Sequence, residues 1–393
     1  MHEFLNPWIW TTLGFPEAGS YAESLYPNMK NQGRYWIDLS RQFGRNALIS
    51  RTGGWKTPWP TIVPSQFAMP AYDPTFSKSF ADVTDEQAYA VRNEIREKRT
   101  SFVIYYSGGI DSTLCLSALI KNLDARELKH VELCMSMDAV IENPFFFEKF
   151  IRGRFNIHDS ARTRYNDLIS AGRKVVSGDL GDAIFGTELG LGFYHRLAQP
   201  GCSEKPFTEF ADQLISSFKE DRNPNFGKMF YEHVLQTTEN STIPIRSLHD
   251  FFWWLIFNLK YSYSALRGLI FYYSGENPKE AIEKSILHWF NSTNYQLWSM
   301  VNNNNGQKIQ TRTTETYKWA ARKYIYELDH NSWYFRHKLK VVSLDNIFRR
   351  SKYRIESMDF FGLDSEYRVY LNSDNKIRRY IKDSLERLDQ ESA

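Results

Sequence analysis

Cysteine is scarce in this 393-residue chain: three residues, Cys115, Cys134 and Cys202, none in C-x-x-C spacing. That excludes a disulfide framework and a structural zinc site, and implies a reducing compartment. Charge of one sign is lacking too. The 49 Lys and Arg stand against 46 Asp and Glu, and a net charge of +3 is too small to imply a nucleic-acid partner. Long apolar runs are absent. The most hydrophobic stretch, Phe251-Phe252-Trp253-Trp254-Leu255-Ile256-Phe257, is followed by Lys260 and Arg267. It falls short of the roughly 18 uncharged residues a membrane span requires and reads as a core helix. No basic segment and apolar run follow Met1, so no secretory leader is expected and the cytoplasm is the expected compartment. Nor does any G-x-x-x-x-G-K-[ST] occur, which excludes a Walker A loop.

Aromatic residues, by contrast, are abundant at 16%. They point to an ordered, aromatically packed protein. Residues 1–83 are rich in Trp and Pro (Trp8, Trp10, Trp36, Trp55, Pro58, Trp59, Pro60) without clear periodicity, so their fold stays open. From Thr84 the pattern becomes regular. Thr84-Asp85-Glu86-Gln87 reads as a capping box opening a helix to about Lys98. Phe102 to Tyr106 reads as a buried strand, His130 to Ser136 as a second and Lys174-Val175-Val176 as a third. Helices are expected after Pro144 and from Ser160 to Ala171, the latter stopped by Gly172. Alternating strands and helices over 84–205 predict an α/β domain with a doubly wound parallel sheet. Residues 206–393 predict a helical lobe, with helices at Thr208 to Glu220, Ser247 to Tyr273, Pro278 to Phe290 and Glu315 to Leu328.

Between the first strand and its helix stands Ser107-Gly108-Gly109-Ile110-Asp111-Ser112. Glycine permits close approach of backbone to a ligand, and a helix N-terminus binds phosphate. A carboxylate beside phosphates calls for a bridging cation, so the loop implies a nucleotide with Mg²⁺. The third strand runs into a second glycine-rich loop, Ser177-Gly178-Asp179-Leu180-Gly181-Asp182-Ala183-Ile184-Phe185-Gly186. The sheet rule puts it at the same edge as the first. Its two carboxylates can divide roles, one holding Mg²⁺ and one facing the reacting group. A third signal is Lys318-Trp319-Ala320-Ala321-Arg322, followed by Arg336-His337-Lys338. Lys318 and Arg322, four apart, share one helical face and can reach one anion together. From Arg312 to Arg354 there are 11 Lys and Arg against 4 Asp and Glu, a local excess suited to pyrophosphate or a polyanionic substrate.

The spelling S-G-G-x-D-S resembles the loop of the PP-loop ATP pyrophosphatases, a HUP-like fold whose members cleave ATP to AMP and pyrophosphate. Together with S-G-D-L-G-D-A-I-F-G it resembles the synthetase domain of asparagine and β-lactam synthetases, over about residues 84–340. There the second loop reads approximately S-G-[EDY]-G-x-D-x-x-x-G, so Leu180 departs from the pattern. The K-x-x-x-R and later R-x-K of that domain match Lys318, Arg322, Arg336 and Lys338. The family's R-x-P-F-L-D is missing; Ile286-Leu287-His288-Trp289-Phe290-Asn291 is the nearest candidate and lacks its arginine and aspartate.

The resemblance implies that ATP binds at Ser107, Gly108, Gly109, Asp111, Ser112 and Gly178, with Mg²⁺ on Asp111 and Asp182. It further implies that Asp179, Lys318, Arg322 and Lys338 act in catalysis. The implied reaction adenylates a small-molecule carboxylate and transfers the acyl group to ammonia or an amine. No Cys, Ser or Thr stands next to Met1 to serve as an N-terminal nucleophile, so no glutaminase domain is expected. Nitrogen would then come from free ammonia or another amine, from a separate ammonia-supplying subunit, or from within the substrate. Two other readings stay open: an enzyme that adenylates a nucleic-acid base and inserts nitrogen, for which the Trp-rich start and basic C-terminal third speak, and an inactive nucleotide-binding module.

Overall fold

A computed structural model describes residues 50–52, 67–160, 162–186, 193–194, 196–199, 201–218, 225–239, 241–262, 264–265, 281–303, 317–338, 354–356 and 368–370. The Trp- and Pro-rich positions between Trp8 and Pro60 lie outside the described residues. The chain forms two compact units, each gathered from three stretches: Met1–Phe76, Leu180–Tyr272 and Gln296–Lys308 in one, and Ser77–Asp179, Tyr273–Tyr295 and Ile309–Ala393 in the other.

Helix α1, Phe80–Lys98, has its N-cap at Ser79, five residues before the expected cap Thr84. Ser79 and Asp82 cap it reciprocally, the Asp82 amide donating to Ser79 Oγ and the Ser79 amide to Asp82 Oδ2, each at 3.1 Å. This box wins over Thr84-x-x-Gln87 because the earlier start buries Phe80 and Val83 on the apolar face. Thr84 instead donates its hydroxyl to the Phe80 carbonyl, 2.7 Å, and accepts from Tyr295 Oη, 2.9 Å. Strand β1, Ser101–Tyr106, is buried at five successive positions, and since neighbouring side chains alternate, both faces are covered. It leads into α2, Ile110–Asn122.

Next come β2, Val131–Met135, and α3, Met137–Glu142. Pro144 sits at the first turn of a short helical segment, as expected, and Phe145, Phe146, Phe147 and Phe150 are buried behind it. A strand that the sequence did not announce, β3 (Asn156–Asp159), takes the edge of the sheet. It pushes the start of the following helix, α4, to Tyr165–Ser170. The expected third strand is therefore the fourth, β4, Arg173–Ser177, followed by α5, Gly181–Phe185.

Helices α6 (Ala211–Ser217), α7 (Phe226–Glu239) and α8 (Leu248–Trp254) enclose an aromatic core that includes Phe207, Phe230, Phe251 and Phe252. Phe251 to Phe257 is buried throughout, which agrees with a core helix. Among the described residues no helix is long and apolar enough to cross a membrane. Arg51 is buried in the same unit, its guanidinium 3.7 Å from the Tyr261 ring and bonded to the carbonyls of Phe67 and Phe257. Burial lowers its pKa to about 10.

Of the segment expected as a helix from Pro278 to Phe290, Ala281–Ser285 is helical, and the chain then turns into β5, Ile286–His288. Then follow α9 (Thr293–Val301), α10 (Trp319–Asp329) and α11 (Ser332–His337), and the two-stranded antiparallel pair β6 (Arg354–Glu356) and β7 (Arg368–Tyr370). Asp85, read as part of the Thr84 cap, accepts from Tyr324 Oη of α10 and, at 2.7 Å, from Asn122 Nδ2.

The main sheet runs β3-β2-β1-β4-β5 with every pair parallel. An α/β fold with a parallel sheet is thus present as expected. The chain proceeds from β1 outward through β2 to β3, then returns to place β4 on the other side of β1. The reversal puts a topological switch point between β1 and β4, where open parallel sheets hold ligands beyond their carboxyl ends.

His288 closes β5 in register with Ser177, and burial lowers its pKa to about 4. The folded chain therefore refuses a proton that the unfolded chain takes up below its ordinary value of about 6.5. Stability should fall as pH drops from about 6.5 to 4, by up to about 3 kcal/mol from this residue. Urea unfolding across that window should show a shallower pH slope in His288→Leu than in the parent protein.

Candidate active site

Two loops meet at the switch point. The chain leaves β1 at Tyr106 and enters α2 through Ser107, Gly108 and Gly109. Gly108 has a left-handed φ of 71°, and a Cβ built on it would lie 2.3 Å from the Ala139 carbonyl oxygen and 2.9 Å from Glu142 Cβ. Only glycine fits there. Ser112 Oγ accepts from the Ser107 amide at 3.1 Å and donates to the Gly109 carbonyl at 3.2 Å, while the Gly109 amide donates to Ser107 Oγ at 3.3 Å. The serines brace the loop from within. Gly109 is the N-cap of α2, and no side-chain capping hydrogen bond is made there. A 13-residue helix thus presents its N-terminal amides and positive dipole end at the ligand edge.

From β4 comes the second loop. Gly178 lies against the first, since a Cβ here would sit 3.2 Å from Asp111 Cβ and 3.4 Å from the Ser112 amide nitrogen. The Asp179 amide donates to Ser177 Oγ at 3.2 Å, and the residue is half-buried. Leu180 is at φ −82° and ψ −2°, an ordinary right-handed conformation, and is wholly buried. Its departure from glycine needs no special backbone. Asp182 stands in the first turn of α5 and is half-buried.

The chain around α10 and α11 adds the cations. Lys318 precedes α10 in the left-handed region, φ 58° and ψ 41°, and is 4% exposed. Its ammonium pairs with Asp111 Oδ2. A non-glycine residue pays on the order of 1 kcal/mol for this backbone, the kind of strain that collects where side-chain placement matters. Arg322, one turn beyond Lys318, bonds to backbone carbonyls. Its Nε donates to the Tyr317 carbonyl at 2.9 Å and its Nη1 to that of Phe335 at 2.8 Å, so it braces the backbone around Lys318. Lys338 pairs with Glu142 at 2.5 Å. Tyr334 Oη donates to the Gly108 carbonyl at 2.9 Å.

Glu142 and Tyr334 had no signal in the sequence. Neither belongs to a motif, and both reach the loop from about 30 and 220 residues away in sequence, a contact that only folding creates.

Asp111, Asp179 and Glu142 stand against Lys318 and Lys338 at this edge, so carboxylates exceed ammonium groups. A bare polyanion would worsen that imbalance. An oligophosphate accompanied by a divalent cation suits the amides and relieves the carboxylates together. The available donors are oxygens, which suits Mg²⁺. Among the described residues no three His, Cys, Asp or Glu side chains converge on one point.

Gly108→Ala should cost about 2–4 kcal/mol, through the left-handed backbone and the contact with Ala139 together. Gly172 provides a control, with φ 72° and nothing within 4 Å of its added Cβ, and alanine there should cost only about 1 kcal/mol. Urea denaturation of the two variants measures the difference.

Comparison with protein-family models, with curated proteins and with solved structures finds no match for the chain.

Proposed function

We propose that the protein is an ATP-dependent ligase of the PP-loop pyrophosphatase type, which adenylates a carboxylate and passes the acyl group to ammonia or an amine. One observation carries the reading. The N-terminus of α2 and the glycine loop after β4 touch across the switch point, with Lys318 held on Asp111 beside them.

The loop from Ser107 to Ser112 and the first amides of α2 bind the phosphates. Asp111 would hold Mg²⁺, whose charge would neutralise that of the phosphates. A substrate carboxylate oxygen attacks the α-phosphorus, and the bond to the bridging oxygen of pyrophosphate breaks. The nitrogen nucleophile then attacks the acyl carbon, and the bond from that carbon to the AMP oxygen breaks. Asp179 accepts the proton that nitrogen sheds. Lys318, buried near the loop, stabilises the negative charge that builds in both steps, a task for which a water-poor site favours a positioned ammonium. Arg322 keeps that lysine in place.

Within the basic stretch Lys318, Arg322 and Lys338 turn to carboxylates or backbone, whereas Lys323 and Arg336 are exposed.

Incubation with ATP, Mg²⁺ and panels of carboxylates and amines should release pyrophosphate and AMP. Formation of ADP and phosphate would refute the scheme. Asp111→Asn should lower turnover by ~10²–10³ with an unchanged circular-dichroism spectrum, as for loss of a group that organises transition-state charge. Salt-sensitive RNA or DNA binding by the parent protein would shift the assignment to base modification.

A further inference from the structure

Glu142 ends α3 and is 1% exposed, yet it carries a carboxylate directly under the phosphate loop. Its Cβ limits the space at Gly108, and its Oε1 would be 3.4 Å from a Cβ on Gly109. Its partner Lys338 follows α11, whose Tyr334 is bonded to the Gly108 carbonyl. The segment bearing the lysine is therefore fastened to the loop at Gly108 and to α3 at Glu142.

A buried ion pair is a weak device for stability, because neutral groups of similar shape often serve as well once desolvation is counted. This pair lies where fixed charge has another use. Lysine has a flexible four-carbon stem, and a buried carboxylate selects one placement of its ammonium. We propose that Glu142 is a positioning residue, holding Lys338 against Gly108 and Gly109 so that its ammonium is preorganised for the phosphates of a bound nucleoside triphosphate. The assignment rests on the ATP reading above and extends it to a residue outside the motifs.

Calorimetric titration with MgATP tests it on the full chain. Glu142→Gln should weaken binding about tenfold, the scale of one misplaced charge-assisted contact. Glu142→Asp, which keeps the charge but draws it back by one methylene, should weaken it as well. The double variant E142Q/K338M should bind no more weakly than K338M alone, since Glu142 acts through Lys338. Removing both charges also guards against misfolding of a variant left with one unpaired buried ion.

Three results would overturn the proposal. Unchanged or tighter MgATP binding in E142Q and E142D would make Glu142 a charge neutraliser or a purely structural residue. Multiplying losses in the double variant would show that it acts apart from Lys338. Failure of the parent protein to bind MgATP would remove the ATP reading along with the inference, whereas the first two results leave that reading standing.

Discussion

The ammonium of Lys318 against the carboxylate of Asp111 is the interaction on which the arrangement of this site depends. Asp111 lies in the first turn of α2, immediately beyond the two glycines, and Lys318 comes from a segment 207 residues later. Holding a nearly buried lysine there demands several other features. Its backbone adopts the left-handed region, Arg322 satisfies the carbonyls of Tyr317 and Phe335 on either side, and Tyr334 fastens α11 to the loop. A charge taken out of water must be paired, and its partner must be rigid. Asp111 is rigid because the loop is braced by two serines and closed in by Gly178.

Sheet order supplies the other half of the constraint. In a parallel sheet every strand points its carboxyl end the same way, so the loops after β1 and β4 can meet only if those strands are neighbours. They are, through Ser101 to Ile104 against Arg173 to Val176. The two glycine-rich loops, separated by 64 residues of chain, thus become one surface without any long insertion.

Much of this was legible in the sequence where local signals dominate. β1 announces itself as a continuous apolar run because it is buried on both faces, and the glycines mark the turn after it. β3 was hidden for the opposite reason: Asn156 to Asp159 is a polar, partly exposed edge strand whose identity depends on pairing with β2. β5 has only three residues, too few for a period of two to be told from a helix of aromatic residues. The start of α1 slipped because two capping boxes compete within six residues and burial of Phe80 decides between them. Lys318 and Lys338 were found by motif, but their partners differ in kind. Asp111 was already marked by its loop, whereas Glu142 gains its meaning from contacts with Gly108 and Lys338 that no spacing encodes.

Ile286 to Asn291 is the stretch nearest to the R-x-P-F-L-D of the synthetases that the sequence resembles. Ile286 to Asn291 forms β5 and the turn beyond it, and its Trp289 and Phe290 are buried while His288 is held neutral by burial. On the proposed ligase reading, a charged substrate group would meet no opposing charge from this segment, and burying an ionised group without a partner is expensive. Both described lysines at this edge are paired with carboxylates. On that reading the charges of MgATP would have to loosen those pairs before a substrate carboxylate could use the lysines, so nucleotide would bind first.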